Sequence, residues 1–364
     1  MESLVASADF WKGKKVFITG HTGFKGSWLS LWLQKLGVQV TGYSLQPPST
    51  PSLFSIAEID KELASIDGDI LDYAHLLEAM QDSSPDIIIH MAAQSLVQYS
   101  YNHPIETFST NIMGTINLLE AIRNTDSVRS AVVVTSDKCY ENQEWMWGYR
   151  ENERLGGKDP YSNSKACTEL VTHSYIQSYF NNPDPARSIA CATARAGNVI
   201  GGGDWAKNRL LADIYRAVEN KTSLEIRHPE AIRPWQHVME PLNGYLLLAE
   251  NLYRNGSTYS GAWNFGPESG DEKTVKWVID KANQQLGNRI NIEIDSNRLM
   301  PESSILKLDS TKSRSMLGWS SKWNIDMAIS KTVLWLSKYL DSENMKDVTC
   351  AQIDEYMAEQ TGES

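Results

Sequence analysis

Four cysteines in 364 residues, Cys139, Cys167, Cys191 and Cys350, are too few and too scattered for a disulfide scaffold. No two have zinc-knuckle spacing, and the seven histidines contain no His-Glu-x-x-His or other close ligand cluster. No catalytic metal is therefore expected. Positive charge is also short: 34 Lys and Arg face 45 Asp and Glu, a net charge of -11, so nucleic-acid binding is not expected. No apolar run reaches the roughly 18 residues of a membrane span. The opening MESLVASADFWKGKK carries acidic groups and lacks the apolar stretch of an export signal. Thiols without partners and no export signal read as a cytoplasmic protein with no membrane partner. No Gly-x-Ser-x-Gly elbow is present, which removes the hydrolase reading. What is present, 41% hydrophobic and 22% charged residues, is an ordinary soluble composition for one long unit or two intimate domains.

The first half alternates short β-rich runs with helical patterns. KKVFITG (14–20), VQVTGYS (38–44), PDIIIHMA (85–92), SAVVVTS (130–136) and SIACATARAG (188–197) read as strands. Helical patterns over 27–37, 105–123 and 161–180 lie between them. Continuously apolar strands alternating with helices predict an α/β fold, a Rossmann-type doubly wound parallel sheet covered on both faces. After Gly197 the rhythm becomes mixed, with helices expected over 207–220, 240–252, 273–286 and 325–339. Strands are expected at LEIR, AWNFG, NIEID and SILKLD. The expected division is a dinucleotide-binding domain over 1–197, with 234–266 returning to it. A smaller mixed α/β substrate-binding lobe takes 198–233 and 267–341, and 342–364 is expected as a loose tail.

ITGHTGFKG places Gly20, Gly23 and Gly26 at a strand-to-helix turn, where a chain without side chains can approach a pyrophosphate laid over free helix amides. Asp69, in GDI, follows an expected strand and either accepts from an adenine amino group or simply closes a turn. The ribose-reading acid expected at the end of the second strand is missing, because TGYSLQPP offers Ser44 instead. No arginine lies there to welcome a 2′-phosphate, so NAD is favoured over NADP.

Tyr161 and Lys165 have the spacing Tyr-x-x-x-Lys and share one helix face. An ammonium so placed is expected to lower the phenol's pKa, giving a base that takes a proton from a sugar hydroxyl as hydride leaves. VVTSDKCY delivers Ser136, Asp137 and Lys138 at a strand's carboxyl end, an acid and an amine side by side.

The motifs TGHTGFKGSWL, HMAAQ, TNIMGT, TSDKCY, DPYSNSK, RAGNVIGGGDW and RPWQHVMEPLNGY together make the chain resemble the extended short-chain dehydrogenase/reductases of the nucleotide-sugar 4,6-dehydratase group, over about 14–339. Within that group GNVIGGGDW and RPWQHV favour the branch acting on CDP-glucose. Dehydratases of N-acetylhexosamine nucleotides are the alternative, and a nucleotide-sugar epimerase a more distant one. The resemblance implies C4 oxidation by Tyr161 and bound NAD, loss of water across C5 and C6, and hydride return to C6. Ser136 would then hydrogen-bond the 4-oxygen and Asp137 would protonate O6. Lys138 would take the C5 proton in place of the usual glutamate, or stay charged and stabilise the enolate.

The resemblance further implies cofactor contacts from Thr19, Gly20, Gly23, Phe24, Lys25, Gly26, Ser44, Asp69, Ile70, Met91, Ala92, Ala93, Tyr161 and Lys165. Substrate contacts are implied for Ser95, Ser136, Asn198, Asp204, Trp205, Lys207, Arg209, Arg233 and Glu302. His90 and His237 are expected to be structural. A homodimer or homotetramer is implied, paired through helices 105–123 and 161–180 with Met113, Ile116, Leu170 and Ile176 in the seam.

Overall fold

The computed structural model describes residues 4–181, 188–226, 228–294 and 303–358. Twelve strands occur among them: β1 Lys15–Thr19, β2 Gln39–Ser44, β3 Ala64–Asp67, β4 Ile87–His90, β5 Ser130–Val134, β6 Ala190–Ala196, β7 Asn198–Ile200, β8 Leu224–Ile226, β9 Ile232–His237, β10 Gly261–Phe265, β11 Glu272–Thr274 and β12 Ile292–Ile294. Seven form one parallel sheet in the order β10-β6-β5-β4-β1-β2-β3. Strands β1, β4 and β5 sit at its centre, and Ile87, Ile88, Ile89, Val132 and Val133 are fully buried there because helices cover both faces. The order reverses between β1 and β4, so a crevice opens at their carboxyl ends.

Smaller sheets, β11-β9-β7 and β12-β8, stand beyond that edge. They pack with the helices Leu210–Asn220, Val275–Gln285 and Ile325–Leu340 around their own apolar cluster, which includes Ile214, Trp235, Val278 and Ile329. Strand β9 is an element the sequence pattern hid, since Pro234 argues against a strand interior. A short three-stranded ladder tolerates it: Pro234 pairs with Glu272. Conversely SILKLD forms no strand; only isolated bridges join Ile305 to Ile232 and Leu308 to Tyr149.

The segment expected as a loose tail is corrected by the structure. Over its described part it folds as the helix Met345–Ala358, burying Met345, Val348, Ile353 and Tyr356. Tyr356 packs edge-on against Trp32 and Trp323, and the Trp335 indole donates to Thr349 at 2.9 Å. Those aromatic partners come from distant chain segments, so the local pattern gave no warning. Among the described residues no helix is long and apolar enough to cross a membrane.

Candidate active site

A single cleft of about 1170 Å³ runs along the carboxyl ends of the strands and between the sheets, lined by residues from the glycine turn to Arg233. At one end stands the turn after β1. Gly20 has φ +77°, and a Cβ there would lie 2.7 Å from the Ala92 amide nitrogen. At Gly26 a Cβ would lie 2.2 Å from the Gly20 carbonyl oxygen. Only glycine permits this close approach of backbone to backbone. The helix Phe24–Lys35 that follows has no side-chain cap, so its first amides are open to the cleft. Gly20, Gly23, Phe24, Lys25, Gly26, Ser44, Asp69, Ile70, Met91, Ala92 and Ala93 all line it.

Thr19 does not line the cleft. It lies beneath, its hydroxyl 2.6 Å from His90 Nδ1 and accepting from the Met91 and Ala92 amides at 3.2 Å. The expected contact at Thr19 therefore becomes a fastener joining β1 to β4. Ser44 Oγ shares a 2.9 Å hydrogen bond with Thr22, and Asp69 accepts from the Leu71 amide at 2.9 Å, closing its own turn.

The reacting groups meet where β5 ends. Ser136 caps the short turn Asp137–Cys139. Its hydroxyl donates to Asp137 Oδ1 at 2.9 Å and accepts from the Lys138 amide at 3.2 Å. Lys138 Nζ lies 3.4 Å from the same carboxylate oxygen, while Asp137 Oδ2 is buried without a partner among the described residues.

Tyr161 and Lys165 enter from the helix Pro160–Tyr175, whose start is locked by a capping box between Asp159 and Ser162. Burial pushes the Tyr161 phenol up to about 12; Ser136 and Arg209 oppose the rise, and Asp137 and Asp159 add to it. Lys165 donates to the Val134 carbonyl at 3.3 Å, and burial lowers its ammonium to about 8. The expected lowering of the phenol by this lysine is absent, because desolvation dominates both groups.

Lys25 brings another cation to the same place. Lys25 lines the cleft, its Nζ donates to Tyr245 Oη at 3.3 Å, and burial lowers it to about 7. Arg209, Lys165 and Lys138 push it further down and Asp137 opposes them.

On the substrate side Ser95, Asn198, Asp204, Trp205, Arg209 and Arg233 line the cleft. Arg209 spans it, donating to Ser95 at 3.2 Å and to Asp204 at 3.3 Å. Asn198 Oδ1 is buried and unpartnered among the described residues. Trp205 also packs edge-on against Trp335 and Tyr339, a core contact. Lys207 is corrected: it is exposed on the loop and does not line the cleft, whereas Asn208, with φ 63°, turns the chain so that Asn208 and Arg209 line it. Glu302 lies outside the described residues.

His90 and His237 are both buried and lowered to about 3 by burial, and each sits among hydrogen-bonding or aromatic neighbours. Thr22 and Tyr245 were missed by sequence reasoning. Thr22 could have been found inside the glycine turn itself. Tyr245 closes the motif RPWQHVMEPLNGY, but its place beside Lys25 was hidden because it arrives from the distant helix Met239–Asn255.

The family model described as GDP-mannose 4,6 dehydratase matches residues 17–332. The chain belongs to that family. Within the family's wider kin it is 47% identical to the CDP-glucose 4,6-dehydratase of Salmonella typhimurium over 354 residues, covering 97% of this chain and 99% of the relative. It is 26% identical to a UDP-glucose 4-epimerase of Halalkalibacterium halodurans, covering 85% of this chain and 91% of the relative. Among solved structures, a UDP-glucose-4-epimerase from Stenotrophomonas maltophila with bound NAD and formylated UDP-arabinopyranose superposes with TM-score 0.78 at 20% identity. That match covers 90% of this chain and 99% of the epimerase, and it shows that the two share a fold.

Proposed function

We propose that the chain converts CDP-glucose to CDP-4-dehydro-6-deoxy-D-glucose and water, with NAD as a cofactor restored in each turnover. The observation that carries this reading is the carboxylate–amine pair Asp137 and Lys138 beside Tyr161 in one cleft. An epimerase needs the tyrosine and the cofactor but no such pair. The relative sharing 47% identity over nearly its whole length is a CDP-glucose 4,6-dehydratase, which supports both reaction and nucleotide.

The glycine turn fits a dinucleotide, because its forced glycines and uncapped helix amides leave room and donors for a pyrophosphate. No lysine or arginine stands among the cleft-lining residues from Tyr43 to Ser49, which favours NAD over NADP. When bound, NAD accepts the C4 hydride and returns it to C6.

In this reading Tyr161 takes the O4 proton while Ser136 holds that oxygen. Asp137 delivers a proton to the departing 6-hydroxyl from its buried carboxyl. Lys138 takes the C5 proton and gives it back. General acid–base steps of this kind contribute about 10²–10⁴-fold each. Lys165, anchored on Val134, orients the cofactor's ribose, and Asn198, Arg209 and Arg233 receive the substrate diphosphate, the arginines offering planar forks to its oxygens. The test is product NMR after incubation with CDP-, UDP-, dTDP- and GDP-glucose. A 4-keto-6-deoxy product formed fastest from the CDP sugar is expected; an inverted 4-hydroxyl would mark an epimerase.

A homo-oligomer follows from the same reading. Ile105, Met113, Leu170 and Tyr179 are exposed apolar side chains on the two helical segments expected to pair, whereas Ile176 is buried in the protomer's own core and leaves the seam. Light scattering is expected to give at least twice the 40.9 kDa chain mass. The cytoplasm is the proposed location, in keeping with four free cysteines.

A further inference from the structure

A single arginine bridges the cleft from wall to wall. Ser95 stands in the loop after β4 and Asp204 in the loop after β7. Arg209 donates to both, Nη2 to Ser95 Oγ at 3.2 Å and Nη1 to Asp204 Oδ2 at 3.3 Å. Both contacts are single and long. An arginine forked on a carboxylate or phosphate makes two parallel bonds of about 2.7–2.9 Å. Here the two prongs are split between opposite walls, and neither wall satisfies the guanidinium well.

The members of the ion pair differ in freedom. Asp204 is fixed: its side chain is 9% exposed and its Oδ1 accepts from the Ala206 amide at 3.1 Å. Arg216 pins the same loop by donating to the Trp205 carbonyl at 2.8 Å. Arg209 is the adaptable member, with a side chain 32% exposed along the cleft. A diphosphate entering the cleft can take Nη1 and Nη2 together, which strips the arginine from both walls. Asp204 cannot follow, because its loop is held. Its Oδ2 then loses its counter-charge.

Substrate and product of the proposed reaction carry the same CDP group. Every contact with the diphosphate therefore grips the product as firmly as the substrate, and such uniform binding does not speed the chemistry. A firmer grip only delays release. We propose that Asp204 is an internal competitor for Arg209, a carboxylate that holds the arginine while the cleft is empty and takes it back as product leaves; the role rests on the dehydratase reading above. Arg209 then adds to affinity only the difference between its two partners. Asp204 becomes a positioning residue rather than the substrate contact its motif implied.

The test is a double-mutant cycle on CDP binding, with affinity from calorimetry and release from stopped-flow displacement, NAD being present in excess. Asp204→Asn keeps an oxygen for the Ala206 amide and Arg209→Met leaves that bond untouched, so the loop should stay folded; thermal melting checks each variant. With Arg209 present, Asp204→Asn should bind CDP about fivefold tighter, the upper range for a partly exposed ion pair. Release should slow by about the same factor. In the Arg209→Met background there is no pair to break, and only repulsion between Asp204 and the diphosphate remains. The gain from Asp204→Asn should be smaller there by about fivefold.

Equal gains in the two backgrounds would make Asp204 a fixed like charge facing the diphosphate and overturn the competitor. Weaker CDP binding in Asp204→Asn would mean that the carboxylate supports Arg209 or the ligand in the complex, which overturns it as well. Either failure leaves CDP bound by the wild type and the dehydratase reading in place. A wild type that binds no CDP overturns both.

Discussion

Two ion pairs stand at the carboxyl edge of the same sheet, and they differ in how fully they are satisfied. Arg195 and Glu169 meet at 2.7 Å with both side chains 3% exposed. Glu169 also accepts from Thr135 and from Thr193, at 2.6 Å in the latter case, while Arg195 donates to Tyr140 at 2.7 Å and to the Glu151 carbonyl at 3.1 Å. Burial works against the Glu169 charge, but Arg195 and the two hydroxyls outweigh it and hold the carboxyl below its usual range. Asp137 and Lys138 are 3.4 Å apart, at 1% and 30% exposure, with Asp137 Oδ2 lacking any partner among the described residues. The more fully bonded pair, in which Arg195 Nε alone lacks a partner among the described residues, fixes β5 against β6 and the helix bearing Tyr161. The unsaturated pair keeps an oxygen and an ammonium available to something that enters the cleft. Satisfaction separates scaffold from chemistry here, although residue types and setting are alike.

The largest break in this contrast should come from Glu169→Ala. It leaves Arg195 buried without its counter-charge and should cost about 3–5 kcal/mol in denaturant unfolding. Asp137→Asn should cost about 1 kcal/mol or less, since its pair is loose and half-open. Equal losses would erase the distinction. Replacing both members, Glu169→Leu with Arg195→Met, should recover most of the first loss, because two apolar side chains need no partner.

Lys138→Met should leave stability near wild type but lower turnover of CDP-glucose by about 10²-fold. It should retain C4 oxidation of CDP-6-deoxyglucose, an analogue with no 6-hydroxyl to lose, and stop C5 hydrogen exchange with deuterated solvent. Free exchange in this variant would return Lys138 to the charged, enolate-stabilising role.

A smaller effect is expected at Lys25. A base lowered to about 7 is neutral in the free protein above that pH, and an anionic pyrophosphate draws a proton back onto it. NAD affinity should therefore weaken as pH rises through 7, by at most about tenfold per unit, with proton uptake visible by calorimetry in buffers of different ionisation enthalpy. Lys25→Met should abolish the uptake. The smallest change is Ser44→Asp, which should tighten NAD by about threefold if the new carboxylate replaces the Thr22 contact with the ribose; unchanged affinity would show that the end of β2 cannot reach it.

Much of the large sheet was legible in advance because a parallel strand buried on both faces writes itself as an uninterrupted apolar run. IIIH and SAVVV are such runs. The glycine turn and the Tyr161/Lys165 spacing were legible for a similar reason: their partners lie within a few residues. Legibility failed where the partner was remote. Strand β9 was masked by Pro234, the helix Met345–Ala358 depends on Trp32, Trp323 and Trp335, and Lys207 and Asn208 exchanged places in the cleft through one left-handed residue.

The sequence by itself determined the alternation of strands and helices, the close-packed glycine turn, the missing acid at Ser44 and the presence of an acid and an amine after β5. Each follows from local sterics, burial or side-chain chemistry. Tertiary structure alone decided that burial raises the Tyr161 phenol, that Lys25 joins the groups around Asp137, and that Asp137 keeps one carboxylate oxygen without a partner among the described residues. Those properties depend on desolvation and on distances between segments far apart in the chain. Neither is written in any one stretch of residues.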